Sequence, residues 1–181
     1  ALHGQLKYGP DFRHFDYVNP DAPKGGTLKL KNPDRRSSFD KFNPWTVRGN
    51  APAGVMIWMV EGLAHLAQDE PMTMYGLLAE AILVAPDFAS VSFRIRPEAR
   101  FANGEPVTAE DVRHSFAQLS GKGASPSYQT QLAGIERVVA VDARTVRFEM
   151  REKTREQAFV AGTMPVFSRK WGAGRKFDEI V

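Results

Sequence analysis

Four histidines, His3, His14, His65 and His114, are the first candidates for metal or acid–base chemistry. No two stand four residues apart, the spacing that sets two imidazoles on one helix face, and no acidic residue completes a ligand pattern. They read as surface or packing residues. Gly121, Lys122, Gly123, Ala124 and Ser125 have the look of a phosphate loop. The leading glycine is missing at its offset, Gly123 stands where a Ser or Thr hydroxyl would be, and the stretch follows a helix rather than a strand. It reads as a flexible helix exit. Asp69 and Glu70 are adjacent carboxylates of the kind that mark a solvated loop, while Glu61 and Glu80 are isolated. An enzyme would have to assemble an acid–base pair around one of them from a distance. With no cysteine there is no thiol nucleophile, disulfide scaffold or cysteine zinc site, and no G-x-S-x-G elbow is present. The basic run over 144–155 is interrupted by Glu149 and Glu152, the pattern of a wet strand face rather than a phosphate track.

The elements that must position these residues are legible in part. Residues 1–26 form an aromatic-rich arm without regular periodicity, punctuated by Pro10, Pro20, Pro23, Gly25 and Gly26, and its rings are expected to anchor it to a body. Residues 27–31 alternate and predict a half-buried strand; residues 32–50 predict a loop. Over 51–66, Met56, Met59, Val60, Leu63 and Leu66 recur at helical steps and predict a helix with Met56 and Met59 in the core, weakened by Gly62. Residues 77–84 predict a short turn and then a strand. Residues 90–96 predict a strand with Val91, Phe93 and Ile95 on its dry face. Thr108 is a suitable N-cap for a helix that ends at Gly121 and Gly123; Glu110 and Asp111 sit in its first turn, where the helix dipole favours them, and Phe116 faces the core. Residues 135–141 and 145–150 predict a hairpin, and 155–161 a short helix.

The 181 residues are enough for one ordinary domain with a core of its own, and 43% hydrophobic with 25% charged residues excludes a disordered tail or a fibre. Lys and Arg number 24 against 21 Asp and Glu, a net charge of +3, too small an excess to mark a nucleic-acid binder. The apolar run over 51–60 is too short to span a bilayer and holds Pro52 and Gly54. The first residues lack the charged and apolar regions of a signal peptide, so the chain reads as processed or trimmed. Strands and helices are mixed, which makes the class α/β or α+β.

One stretch resembles a known family. Phe101, Gly104, Pro106, Val107, Thr108, Ala109, Asp111 and Val112, between a strand and a helix, are similar to the signature of the family 5 extracellular solute-binding proteins of ABC importers. Outside it, Glu61-Gly62-Leu63, Leu78-Ala79-Glu80, Phe42-Asn43-Pro44 and the hairpin residues Arg144 to Phe148 resemble further motifs of that family. So does the stretch 164–171, with Ser168 where proline is usual. Asp69-Glu70-Pro71, Tyr75-Gly76-Leu77 and the turn over 21–26 look like the YejA-type oligopeptide-binding subgroup.

The resemblance implies an α/β type II periplasmic-binding-protein fold, a mixed sheet with flanking helices. Such proteins have two lobes, so residues 1–181 would be the N-terminal part of lobe I, with lobe II absent. Within it, 1–50 would be the arm, first strand and ligand loop, and 51–181 a helix, strand and hairpin subdomain. Implied too are capture of oligopeptides by lobe closure, an inner-membrane ABC permease as partner, no catalysis, no cofactor, no metal and no nucleic acid. The place would be the periplasm or a lipid-anchored outer face. The intact protein would be a monomer, and the fragment is open to self-association. Nickel chelates, glycans or opines are the alternative ligands. The expected ligand wall is Trp45, Thr46, Val47, Arg48, Gly49, Asn50 and Ala51, with Tyr128 on the loop after the capped helix. Arg48 suits a bidentate carboxylate, Asn50 a peptide backbone, and Gly49 a close approach. Each has a plainer reading: Trp45 as a packing anchor, Arg48 as a solvated loop residue. Phe101, Gly104, Pro106, Thr108 and Asp111 read as structural, the last two as a helix cap.

Overall fold

The computed structural model describes residues 1, 5–27, 29, 39–52 and 54–180. The strand expected over 27–31 and the position of His3 lie wholly or largely outside them.

Alternation in the sequence becomes a four-stranded antiparallel sheet. Strands β3 (Ala79–Val84), β4 (Ser90–Ile95), β5 (Ile135–Ala140) and β6 (Thr145–Met150) stand in the order β3-β4-β6-β5. Val91, Phe93 and Ile95 of β4 and Val146 and Phe148 of β6 fill one face and are essentially inaccessible. The Phe93 and Phe148 rings meet edge to face at 5.7 Å. Burying each such ring contributes about 1.5–3 kcal/mol. Helix α1 (Ala109–Leu119) packs across β5 and β6 on that face through Val112, Ser115 and Leu119, with Phe116 half-buried beside them. Glu80, Arg94, Arg147 and Glu149 lie on the opposite, wet side as ion pairs.

The helix expected over 51–66 is not there. Only a π-helical turn, Val55–Met59, forms; Val60 is then extended, Glu61 bridges Val166, and Ala64–Leu66 is strand β1, paired antiparallel with β2 (Met74–Gly76). The reason is tertiary. A Cβ at Gly62 would lie 2.8 Å from the carbonyl oxygen of Gly162 in α3 (Arg155–Thr163), so the chain needs glycine there for backbone to meet backbone. Long-range strand pairing overrides the local period. Leu63 is fully buried as expected, but Met56 and Met59 are exposed rather than in the core. A second difference is α2 (Pro126–Leu132), where a loop was expected; Ser125 precedes it and Pro126 opens it.

The aromatic arm is anchored as its rings suggest. Tyr8, Phe12 and Phe15 pack around Tyr75 of β2 at centroid distances of 5.0–5.6 Å. Asp69 and Glu70, read as a solvated loop, receive the arm. Asp69 accepts from Lys7 Nζ at 2.6 Å and from Tyr8 Oη at 2.5 Å, and Glu70 accepts from the Lys7 N–H at 2.9 Å and from Tyr75 Oη.

Candidate functional site

The loop proposed to face a ligand is closed at its base by the chain itself. Asp40 N–H donates to the Asn50 carbonyl at 2.9 Å, and Asn50 N–H donates to Asp40 Oδ2 at 2.8 Å. Gly49 has φ +74°, the left-handed region that a side chain strains, and so turns the chain back at this point. Inside the loop sits Lys41, a buried ammonium. Its three donors face the Thr46 carbonyl at 3.4 Å, the Thr46 hydroxyl and the Arg48 carbonyl. Burial pulls its pKa below the ordinary 10.5, and Asp40 opposes that shift. Nothing in the sequence singles out this lysine, which stands in a polar stretch without periodicity.

Below the loop is an aromatic base. Trp45 is 2% exposed, stacks on Phe167 at 5.0 Å and meets Trp171 edge-on at 5.8 Å. Its N–H donates to Asn43 Oδ1, its carbonyl accepts from Ser125 N–H at 2.7 Å, and Asn43 Nδ2 donates to the Phe177 carbonyl. Tyr128, on α2 rather than on a loop, is half-buried; burial raises its phenol pKa, and a hydrogen bond with Trp45 acts the other way. Trp45 and Thr46 are therefore interior, Ala51 is half-buried, and Val47, Arg48, Gly49 and Asn50 stand exposed. Trp45 and Tyr128 meet, while Arg48 and Asn50 lie on the exposed part of the loop.

The structural motif holds this base in place. Gly104, with φ +84°, donates its N–H to the Phe101 carbonyl at 2.8 Å, and Phe101 N–H donates to the Glu105 carbonyl. Pro106 bridges Arg100. Thr108 and Asp111 form a capping box: Asp111 Oδ2 accepts from Thr108 N–H at 3.0 Å and from its hydroxyl at 2.5 Å. Asp111 is itself buried, and its Oδ1 accepts from Arg169 N–H at 3.0 Å, while Ser115 Oγ accepts from Phe167 N–H at 3.0 Å. The cap thus fixes the 167–169 segment, and Phe167 carries Trp45.

Among the described residues no group of three His, Cys, Asp or Glu side chains converges where a metal ion could sit, and no helix is long and apolar enough to cross a membrane. Glu80 lies between Arg94 at 3.0 Å and Arg144 at 3.5 Å. Residues 73–179 match the family of bacterial extracellular solute-binding proteins, family 5 Middle. The chain belongs to this family.

Family 5 relatives align over nearly the whole chain. YejA of Escherichia coli K12 is 35% identical over 179 residues, 99% of this chain and 29% of its own. The probable peptide-binding protein YejA of Agrobacterium fabrum C58 is 35% identical over 172 residues, 94% of this chain and 27% of its own. The peptidoglycan-binding protein YepA of the same strain is 31% identical over 188 residues, 99% and 30%. The chain therefore spans less than a third of the length of these relatives. The fold recurs in Haemophilus influenzae OppA in complex with RPPGFSPFR, with TM-score 0.58 and 20% identity over 72% of this chain and 29% of that one. It recurs in NikZ of Campylobacter jejuni in complex with Ni(L-His), with TM-score 0.63 and 15% identity over 78% and 28%. Family 5 proteins bind solutes for ABC importers, and the resemblance read from Phe101 to Val112 and from the YejA-like motifs is borne out.

Proposed function

We propose that residues 1–181 are the N-terminal part of lobe I of a binding protein that captures oligopeptides outside the inner membrane and delivers them to an ABC permease. Residues 1–50 supply the arm, first strand and ligand loop, and 51–181 the sheet and helices that support it. A second lobe closes over the ligand, and the closed form docks on the permease, in the periplasm or from a lipid anchor. The observation that carries the peptide reading is the 35% identity with a probable peptide-binding protein over 94% of the chain, joined by a peptidoglycan-binding relative.

The loop suits that task. Arg48 stands exposed on a rim whose backbone is fixed by Lys41, so its guanidinium pairs with a terminal carboxylate while little loop entropy is lost. Asn50 donates to and accepts from a peptide backbone. Trp45 and Thr46, being interior, support the rim, and Tyr128 supports Trp45. The test is a binding titration of the gene product that carries this chain with short peptides, an opine and nickel–histidine. Peptides are expected to bind most tightly. Arg48→Ala should weaken them about 10- to 100-fold, the worth of a charge-assisted hydrogen bond of roughly 1.5–3 kcal/mol. Preference for the opine or the nickel complex would replace the peptide reading.

A further inference from the structure

Among the described residues strand β3 is the outer strand of the sheet: it pairs with β4, and only at its start does it bond to the other side, where Ala79 N–H donates to the Leu63 carbonyl at 3.0 Å. Ala85 N–H donates to the Ser90 carbonyl at 2.9 Å. Antiparallel bonding alternates along a strand, so Leu83 and Ala81 also face β4, and the N–H and C=O groups of Ile82 and Val84 point outward. Those outward groups make no hydrogen bond to a described residue. The edge is also apolar: Leu83 is 73% exposed and Val84 38%. Edges of this kind pair with further strands unless something blunts them.

This edge opens onto a groove of about 890 Å³, walled by Tyr8 and Phe12 of the arm, Phe88 of the β3–β4 turn and Phe159 of α3. The volume lies within the range of roughly 300–1,000 Å³ that ligand sites occupy. Phe88 has φ +56°, a left-handed conformation that a turn at this position ordinarily gives to glycine or asparagine. A bulky ring is held there at a conformational cost, with the Arg155 guanidinium 5.3 Å from its centroid. Glu80 is already matched by Arg94 and Arg144. Arg96 is fixed through Nε and Nη2 on the Leu77 and Gly76 carbonyls at 2.8 and 3.4 Å, which leaves Nη1 over as a charged donor on the groove wall.

We propose that this groove binds an extended acidic peptide segment as an added strand on β3. Main-chain bonds run to Ile82 and Val84, alternate apolar side chains lie among the aromatic walls, and a carboxylate pairs with Arg96. A second copy offering its own β3 would bring its arm and its β3–β4 turn against the same walls; a slot walled on both sides suits one extended segment better than another folded edge. The groove shares no residue with the 40–51 loop or Tyr128, so it is a site apart from the one proposed above.

The test is fluorescence anisotropy of this chain with a labelled peptide of three Glu-Val repeats ending in a free carboxylate. Saturable binding is expected, with a loss of about tenfold or more when alternate peptide nitrogens are methylated and a similar loss with Arg96→Gln. Ile82→Pro, which deletes one outward donor at an edge that tolerates proline, should act like methylation. Methylation changes only the peptide, so the test survives misfolding of either variant. The proposal is overturned by absent saturation, by equal affinity for the methylated peptide, by an unchanged affinity with Arg96→Gln, or by a sedimenting dimer that the peptide does not displace.

Discussion

Lys41 shows how much of the ligand loop depends on one side chain. It supplies all its donors to Thr46 and Arg48, so replacing it leaves loop acceptors to find water. Lys41→Met should cost about 1–3 kcal/mol in denaturant unfolding and raise hydrogen exchange at residues 46–49. The arm clasp gives a pH dependence with a definite sign. Hydrogen bonds from Lys7 and then Tyr8 hold the Asp69 carboxyl below its ordinary 3.8. A depressed carboxylate stabilises the folded arm fully above the unfolded value, and that contribution is lost as pH falls from 3.8 through the lower folded value. The amide resonances of Lys7 and Asp16 should shift together in that window, and Asp69→Asn should abolish the transition. Of the proposed site residues, Arg48 and Asn50 are exposed and keep the role proposed from their type, and the interior place of Trp45 agrees with its plainer reading. Lys41 was not readable, because its role comes from an enclosure that only the folded loop creates.

At the scale of elements, strands with one wet face were legible because alternation reports burial directly: β4, β5 and β6 stand where Val91 to Ile95, Ile135 to Val138 and Val146 to Met150 place them. Residues 51–66 were not, because the partner of β1 lies beyond Leu66, at Met74–Gly76, and Gly62 answers to a distant carbonyl of Gly162. Helix α2 did carry a start signal, Ser125 followed by proline at the first turn, masked by the short polar stretch around it. The capping box was legible as a cap; its second task, holding Arg169 N–H, was not. Asp111→Ala therefore removes more than a cap. It should destabilise the chain by about 3 kcal/mol in urea, since two backbone donors and a hydroxyl lose a buried acceptor, against about 1 kcal/mol for Thr108→Val. It should also move the near-ultraviolet signal of Trp45, which rests on the segment that Asp111 fixes.

The whole molecule keeps an apolar ridge in the open. Met56, Ile57, Trp58 and Met59 are 47–67% exposed, beside a notch of about 220 Å³ lined by Leu78, Phe101 and Val166. Patches of this kind mark contact surfaces. If the two-lobed reading proposed above holds, further chain of lobe I is expected to cover this ridge. The tryptophans report on it: Trp45 is interior and Trp58 exposed. Iodide should quench Trp58 in this chain and not in the longer gene product, and Trp58→Ser should improve solubility while changing stability by less than about 0.5 kcal/mol. The protein carrying this chain is proposed to hold peptides. Native mass spectrometry of that gene product, purified without denaturant, tests it most directly. Heterogeneous adducts that fragment as peptides, with lower occupancy in Arg48→Ala, are expected; a protein that leaves the cell carrying an opine or a metal chelate and no peptide would overturn the peptide reading.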